Sequence, residues 1–306
     1  MTEFRALLPV LGIDTEFSTN DSRVLGVVNE AFGGWGKLER RVADAALRMA
    51  IRITVREGED DGDVRHVLPD SRRFVAQSSG SIGSVDPASR EAVAFVTPAL
   101  VADHPTFRSA MLEAMTFALL AQFDRHPLHA AAVASGGRVV LLVGESGAGK
   151  STLAYAAHES GFDVLAEDHA WIQLDPELRV WGGATRIRLE AGTAQSLPDA
   201  RGTMSTAGGT TKFVVDLTPA TLVGTEPVVC LLSRGGGDAA IERIDAETIT
   251  RALTGGVSPG FDRFPERHTR VVRALAASGG WRLRLSSDPW QSVALLDTLL
   301  RGAVVA

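Results

Sequence analysis

The sequence has very little cysteine and no long apolar run, and each shortage excludes something. Its one cysteine, Cys230, cannot form a disulfide within the chain, so we expect the protein to be located in the reducing cytoplasm. Cys230 lies in the apolar run VVCLL, which predicts a small buried residue rather than a reactive thiol. No apolar run approaches the roughly 20 residues that span a bilayer, so we expect no membrane partner.

The charge balance does not suit nucleic acid. With 31 basic and 37 acidic residues the chain has a formal charge of −6 at pH 7, whereas proteins that bind phosphate backbones present a basic face. A composition of 45% hydrophobic and 22% charged residues also excludes a mainly disordered chain. We therefore expect a folded protein without a nucleic-acid partner.

Lysine is scarce enough for its positions to be informative. Only three of the 31 basic residues are lysine, namely Lys37, Lys150 and Lys212. Because the chain uses arginine wherever any cation would serve, a lysine marks a place that needs a compact, rotatable ammonium. Lys150 falls in a glycine-rich turn, and Lys212 ends the small-residue stretch GTMSTAGGTTK, residues 202–212.

The order of predicted elements divides the chain into three parts. Residues 1–103 mix strand signals such as RITVREG with loops such as NEAFGGWGK, and predict a smaller α+β region that binds a substrate or partner. Residues 104–127 carry apolar residues at helical spacing and predict a connecting helix. Residues 128–306 predict an α/β domain with a mixed sheet flanked by helices. Its predicted strands include the segments 128–135 and 163–174.

The clearest motif lies in VVLLVGESGAGKSTLAYA, residues 139–156. Residues 144–151 fit G-x-x-x-x-G-K-[ST], with a buried-strand pattern before them and a helical pattern after them. In such a loop, backbone N–H groups and the helix N-terminus bind phosphate oxygens, the lysine reaches the β- and γ-phosphates, and the serine hydroxyl binds Mg²⁺. We therefore predict ATP, the default in the absence of a guanine-reading N-K-x-D motif, together with Mg²⁺. The loop residues predicted to hold the nucleotide are Gly144, Glu145, Ser146, Gly147, Ala148, Gly149, Lys150, Ser151 and Thr152.

An acid pair and a histidine flank this loop in the sequence. Glu167 and Asp168 lie 17 and 18 residues after Lys150, where a short apolar run ends. Because P-loop proteins hold the Mg²⁺ shell with an acid at the end of a neighbouring strand, we predict Ser151, Glu167 and Asp168 as metal ligands. His129 lies 15 residues before Gly144. On its own it fits a buried core histidine as well as a site residue.

Together these features resemble the HPr kinase/phosphorylase type of P-loop kinase and its relatives beside peptide-modification enzymes. The resemblance covers residues 128–172, with a histidine before the loop, the loop itself and an acid pair ending the next strand. It implies a P-loop kinase core of HPr-kinase type that assembles into oligomers. It also implies transfer of phosphate to a serine hydroxyl, with Asp168 as general base, Glu167 beside it, and Lys150 and His129 arranging the site. The family often has aspartate where this chain has Glu145 and Glu167, so which acid takes the metal and which the proton stays open.

Two further segments have less specific patterns. The stretch 202–212 predicts a flexible loop that closes over the site and brings Lys212 to the transferring phosphate, with a surface lysine on a linker as the alternative. Arg186 and Arg188 alternate along TRIRLE, which favours a solvated strand face over phosphate contact.

Three functions stay open on this evidence. The first is an ATP-dependent kinase acting on a serine of a peptide or protein, with Asp168 as general base. The second is a small-molecule hydroxyl kinase, which needs a closed pocket in place of an open groove. The third is a nucleotide-dependent switch with little transfer activity, against which an acid pair so near the loop argues. An open cleft beside Asp168, lined from the first 100 residues, would favour a peptide.

Overall fold

The computed structural model describes residues 3–38, 44–68, 73–195, 197, 201–207, 210–218, 220–235, 237–255 and 264–302. Contacts divide the chain into two compact units, Met1–Arg125 and His126–Ala306. The described residues form a mixed α/β protein with sheets of seven, nine and three strands. Among their helices, none has both the length and the apolar character needed to cross a membrane.

The first unit is a seven-stranded sheet with helices packed against it through buried residues such as Val28, Phe32 and Met115. Its strands, in the order β1-β2-β3-β7-β6-β5-β4, are β1 (Phe4–Val10), β2 (Ile13–Thr19), β3 (Asp44–Val55), β4 (Arg65–Val67), β5 (Phe74–Gln77), β6 (Ile82–Asp86) and β7 (Glu91–Val96). Its helices are α1 (Ser22–Phe32), α2 (Pro98–Ala102), α3 (His104–Thr106) and α4 (Ala114–Leu120), with a 3₁₀ turn at Gly33–Lys37 and a π-helical stretch at Phe107–Glu113.

Two sequence predictions are wrong in this unit. The segment 29–37 is not a loop but the end of α1 and the 3₁₀ turn, because burial of Phe32 and Trp35 outweighs the helix-weakening glycines. The helix predicted for 104–127 ends at Leu120. The backbone there tightens into a turn, and Asp124 takes a left-handed φ of 55°, which a helix cannot continue through.

The second unit is built on a nine-stranded sheet. Its strands are β8 (His126–His129), β9 (Ala131–Ser135), β10 (Arg138–Val143), β11 (Asp163–Ala166), β12 (His169–Gln173), β13 (Arg179–Trp181), β17 (Val223–Arg234), β18 (Ala240–Ile244) and β19 (Gly280–Leu285). A small sheet holds β14 (Arg186–Glu190), β15 (Thr203–Ala207) and β16 (Thr210–Asp216). The helices are α5 (Lys150–Glu159), α6 (Ala191–Gln195), α7 (Ala246–Gly255), α8 (Pro265–Ala276) and α9 (Pro289–Leu300).

The central strand β10 is buried on both faces, which explains its unbroken apolar run. Val140 and Leu142 belong to the core shared with α5 and α9, whereas Val139 and Leu141 belong to the core shared with α7 and α8. Strand β10 runs parallel to β17, and β17 runs parallel to β19. The carboxyl ends of three strands therefore meet at one edge of the sheet, where the glycine-rich loop begins.

Two segments predicted as single strands are each broken in two. Residues 128–135 form the end of β8 and then β9, because Ala130 turns back to donate its backbone N–H to Leu128 O. Residues 163–174 form β11 and β12, with Glu167 and Asp168 between them. The break at the acid pair places both carboxylates outside the ladder of the sheet, at the edge where the loop lies.

The stretch 202–212 is not the loop that its composition predicted. Its described residues form β15 and β16, an antiparallel pair in which Ser205 lies opposite Lys212, and residues 208 and 209 lie outside the described part. Threonine favours strands, and β16 gains a second partner in β14. Pairing on both sides of β16 therefore outweighs the flexibility expected from small residues.

Candidate active site

The loop after β10 owes its shape to glycine. Gly147 and Gly149 have φ of 78° and 103°, values that side chains rarely allow. A Cβ on Gly149 would also lie 2.7 Å from Leu285 Cδ1. These residues let the backbone turn directly into α5, which begins at Lys150. The loop thus leaves its backbone open to an anion at a helix N-terminus.

Lys150 is buried, and its ammonium is held by the loop itself. The residue is 7% exposed, and its Nζ donates to Gly144 O at 2.7 Å and to Glu145 O at 3.3 Å. An ammonium has three donors, so these contacts leave one for a ligand. Burial lowers the pKa of Lys150, while the charge of Asp168 opposes that shift.

Glu167 faces the first turn of α5. Its Oε1 accepts the backbone N–H of Arg188 at 2.8 Å and lies 3.4 Å from Ser151 Oγ. The guanidinium of Arg188 lies 3.4 Å from Oε2. Burial raises the pKa of Glu167, and the N–H and charge of Arg188 oppose the shift. Arg188 does lie on an exposed strand face, but its contact with the acid pair was missed from the sequence.

Asp168 lies between two histidines. His129 Nε2 is 2.9 Å from its Oδ1, and His169 Nδ1 is 3.1 Å from its Oδ2. The two rings stack with centroids 5.6 Å apart and 21° between their planes. This follows from strand pairing, because His129 lies opposite His169 in the antiparallel β8–β12 pair. Burial lowers the pKa of His169, and the charge of Asp168 opposes the shift.

Ser151 and Glu167 supply oxygen donors that suit Mg²⁺. This ion binds proteins through one or two carboxylates together with substrate phosphates. The two side-chain oxygens lie 3.4 Å apart at the start of α5, so this donor set fits the ion predicted from the sequence. Asp168 belongs to the predicted metal set as well, but in the structure both its oxygens contact histidines. Within the described ranges, no three His, Cys, Asp or Glu side chains group as a metal cluster.

A cleft of about 660 Å³ opens beside the loop. The loop lines it with residues 144–148, β17 with Leu231 and Arg234, and α7 with Arg251. His129 also lines it. Its described lining comes from residues 129–252 and not from the first 100 residues. No motif marks Arg234 or Arg251, so the sequence analysis missed both.

Lys212 is not in contact with the loop. Its Nζ lies 3.4 Å from Glu190 Oε1 across the β14–β16 pair. Its charge is the weakest of the effects on the pKa of Glu167, behind burial and Arg188. The loop conformation predicted for 202–212 is wrong, whereas closure of this segment over the site and phosphate binding by Lys212 stay predictions.

No family model matches the chain, and no curated protein matches it. Among solved structures, the chain is similar to the HPr(Ser) kinase/phosphatase from Coxiella burnetii, with 13% sequence identity. The alignment covers 58% of this chain and 95% of that one, at a TM-score of 0.28. A TM-score this low does not establish a shared fold.

Proposed function

We propose that this protein is a kinase that transfers the γ-phosphate of ATP to a serine hydroxyl of a peptide or protein. The observation that carries the proposal is the placing of Asp168, whose two oxygens contact His129 and His169 and whose charge acts on the buried Lys150 of a glycine-rich loop. A base held beside a phosphate site is what an acceptor hydroxyl requires. A P-loop core of HPr-kinase type is part of the same proposal.

The loop binds the phosphates of ATP. Its backbone N–H groups and the N-terminus of α5 surround the phosphate oxygens, and the remaining donor of Lys150 reaches the β- and γ-phosphates. Ser151 and Glu167 would hold Mg²⁺, which would neutralise charge on the phosphates. Because Gly144 O and Glu145 O already hold the ammonium, little rearrangement is needed on binding.

The two carboxylates divide the work. Glu167 takes the metal, because it lies against the Ser151 hydroxyl at the start of α5. Asp168 takes the acceptor proton, because its partner His129 lines the cleft beside the loop. This division of roles between Glu167 and Asp168 is part of the proposal, and it is supported by what each side chain touches.

Transfer then proceeds in one displacement. Asp168 accepts the proton of the serine hydroxyl as the hydroxyl oxygen forms a bond to the γ-phosphorus. The bond from that phosphorus to the β–γ bridging oxygen breaks, and its electron pair leaves with ADP. His129 and His169 donate Nε2–H and Nδ1–H to the carboxylate and fix its direction. Fixed geometry supplies much of the rate in this chemistry.

The exposure of the cleft favours a peptide over a small molecule. Glu145 and Ser146 of the loop, Arg234 of β17 and Arg251 of α7 are all exposed. A small-molecule kinase would surround its acceptor in a closed pocket, which excludes water from the reaction. An open groove instead accepts an extended chain that continues beyond the reacting serine.

The test is transfer of label from γ-labelled ATP with Mg²⁺ to a panel of serine peptides and small alcohols. We expect labelled peptide serine, and a loss of about 100-fold or more with Asp168→Asn. Asp216→Asn, an exposed aspartate paired with Arg186 on β14, is the matched control and should retain activity. Label on alcohols alone would contradict the peptide acceptor, and tight ATP binding without any labelled acceptor would contradict transfer.

A further inference from the structure

Two arginines line the same cleft as the phosphate loop. Arg234 ends β17, the strand that runs parallel to β10, and Arg251 lies on α7. Both are exposed. The other charged residue of the cleft lining is Glu145 on the loop itself. Two of the three charged residues in the described cleft lining are therefore cationic, in a chain whose net charge is −6.

Among the described residues, no buried acid pairs with either guanidinium. Arg251 Nη2 lies 2.8 Å from Glu247 Oε1 one turn away on α7, with side chains 76% and 81% exposed. Exposed pairs of this kind contribute little and exchange readily for another partner. Within the described part of the chain, Arg234 makes no ion pair. Both arginines are thus available to an incoming anion.

The position of His129 indicates which anion. His129 lines the cleft and contacts Asp168, so an acceptor hydroxyl that reaches Asp168 enters along this cleft. In the proposed function the loop, Lys150 and Mg²⁺ would bind the phosphates of ATP. The groups that meet Arg234 and Arg251 are then those that flank the hydroxyl on the acceptor. The planar fork of arginine matches a carboxylate in bidentate fashion.

We propose that Arg234 and Arg251 form a subsite for acidic side chains that flank the acceptor serine. The inference rests on the proposed function for assigning the cleft to the acceptor, and it names the class of acceptor: a peptide with aspartate or glutamate beside its serine. The negative net charge of the protein repels such a peptide elsewhere, so local cations are needed where it binds.

The experiment is direct binding, measured by fluorescence anisotropy in the presence of ADP and Mg²⁺. The probe is a labelled peptide with a serine flanked by aspartates, compared with the same peptide carrying asparagines instead. The chain variant is Arg234→Gln with Arg251→Gln. Arg301→Gln is the matched control, because Arg301 is 75% exposed and pairs with Asp297 one turn away but does not line the cleft.

We expect the unmodified protein to bind the aspartate peptide about tenfold more tightly than the asparagine peptide, since hydrogen bonds between charged groups are the stronger kind. The double variant should lose this preference, and Arg301→Gln should keep it. Equal affinity for the two peptides, or a preference that survives in the double variant, would overturn the subsite. A loss of ATP affinity with an unchanged peptide preference would overturn it too, by assigning both arginines to the nucleotide.

Binding and transfer give separate answers about the two proposals. Anisotropy needs no phosphate transfer, so acid preference without any labelled acceptor would contradict the kinase while supporting the subsite. Labelled peptides without acid preference would do the reverse. Circular dichroism of each variant checks that the exposed substitutions leave the fold intact.

Discussion

Strand β8 carries two histidines three residues apart, and each lies beside a second histidine. The two pairs differ in whether a carboxylate accompanies them. His126 Nε2 lies 3.1 Å from His268 Nδ1, and both residues are buried. His129 and His169 stack 5.6 Å apart, and both contact Asp168. Among the described contacts, a carboxylate accompanies only the second pair.

The direction of each side chain explains the difference. Side chains alternate along a strand, so residues three apart point to opposite faces. His126 points to the buried side, where α8 supplies His268, and burial, helped by His268 and Arg267, lowers its pKa to about 4. His129 points to the face where the acid pair leaves the sheet. A histidine in an apolar segment therefore indicates a site only when an acid accompanies it.

The largest expected effect concerns the buried pair and the pH dependence of stability. Because the pKa of His126 falls from 6.5 to about 4 on folding, the unfolded chain binds its proton first as pH falls. Stability present above pH 6.5 is lost progressively toward pH 4, by about 3 kcal/mol for such a shift. His126→Phe should remove this component.

Urea unfolding at pH 7.5 and pH 4.5 gives the change in the free energy of unfolding between the two pH values. The difference in this change between the unmodified protein and His126→Phe is the contribution of His126. His158→Gln on α5 is the control and should follow the unmodified protein. The same loss of stability toward acid pH in His126→Phe as in the unmodified chain would contradict the assignment to His126.

The glycine-rich loop could be predicted from the sequence, whereas part of the surroundings of the acid pair could not. The loop is contiguous, so residues 144–152 carry their geometry in their own order of glycines and lysine. The contacts that His129 and Arg188 make with the acid pair depend on strands that are far apart in the sequence: His129 and Asp168 are 39 residues apart, and Glu167 and Arg188 are 21 apart. Pattern alone does not specify such pairings.

The difference between local pattern and long-range pairing also explains which elements of the fold could be predicted. Apolar periodicity predicted the strand before the glycine-rich loop and the helix after it, because burial on two faces produces long apolar runs such as that of β10. It failed where pairing or turn geometry overrides composition. The hairpin of β15 and β16 was one such place, and the breaks at Ala130 and at Glu167–Asp168 were two others.

A smaller effect is expected at the site pair, on transfer rather than on stability. His129→Phe removes a hydrogen bond to the carboxylate of Asp168, a contact worth about 1.5–3 kcal/mol, so kcat should fall about 10- to 100-fold. His126→Phe should leave kcat unchanged, because its pair touches no acid. Transfer rates from γ-labelled ATP to the most strongly labelled peptide decide the matter. An equal fall in kcat in His129→Phe and His126→Phe would contradict the different roles of the two pairs.

The smallest effect separates a hydrogen bond from mere packing at His169. His169→Phe keeps a ring beside His129 but loses the donor to Asp168 Oδ2, and kcat should fall about tenfold at most. His169→Asn places an amide N–H near the position of Nδ1 and should restore most of the rate, with KM for ATP unchanged in both. If Asn is no better than Phe, the ring and not the hydrogen bond is what matters.

Cys230 is the only cysteine in the sequence, and its burial makes it useful as a probe of local opening. Cys230 has no exposed surface, as the sequence predicted, and burial raises its pKa to about 12. Alkylating reagents attack the thiolate, so we expect Cys230 not to react in the folded protein. Alkylation of Cys230 therefore requires local opening of β17. The rate of reaction with iodoacetamide measures how often the second unit opens at this strand, without an added label.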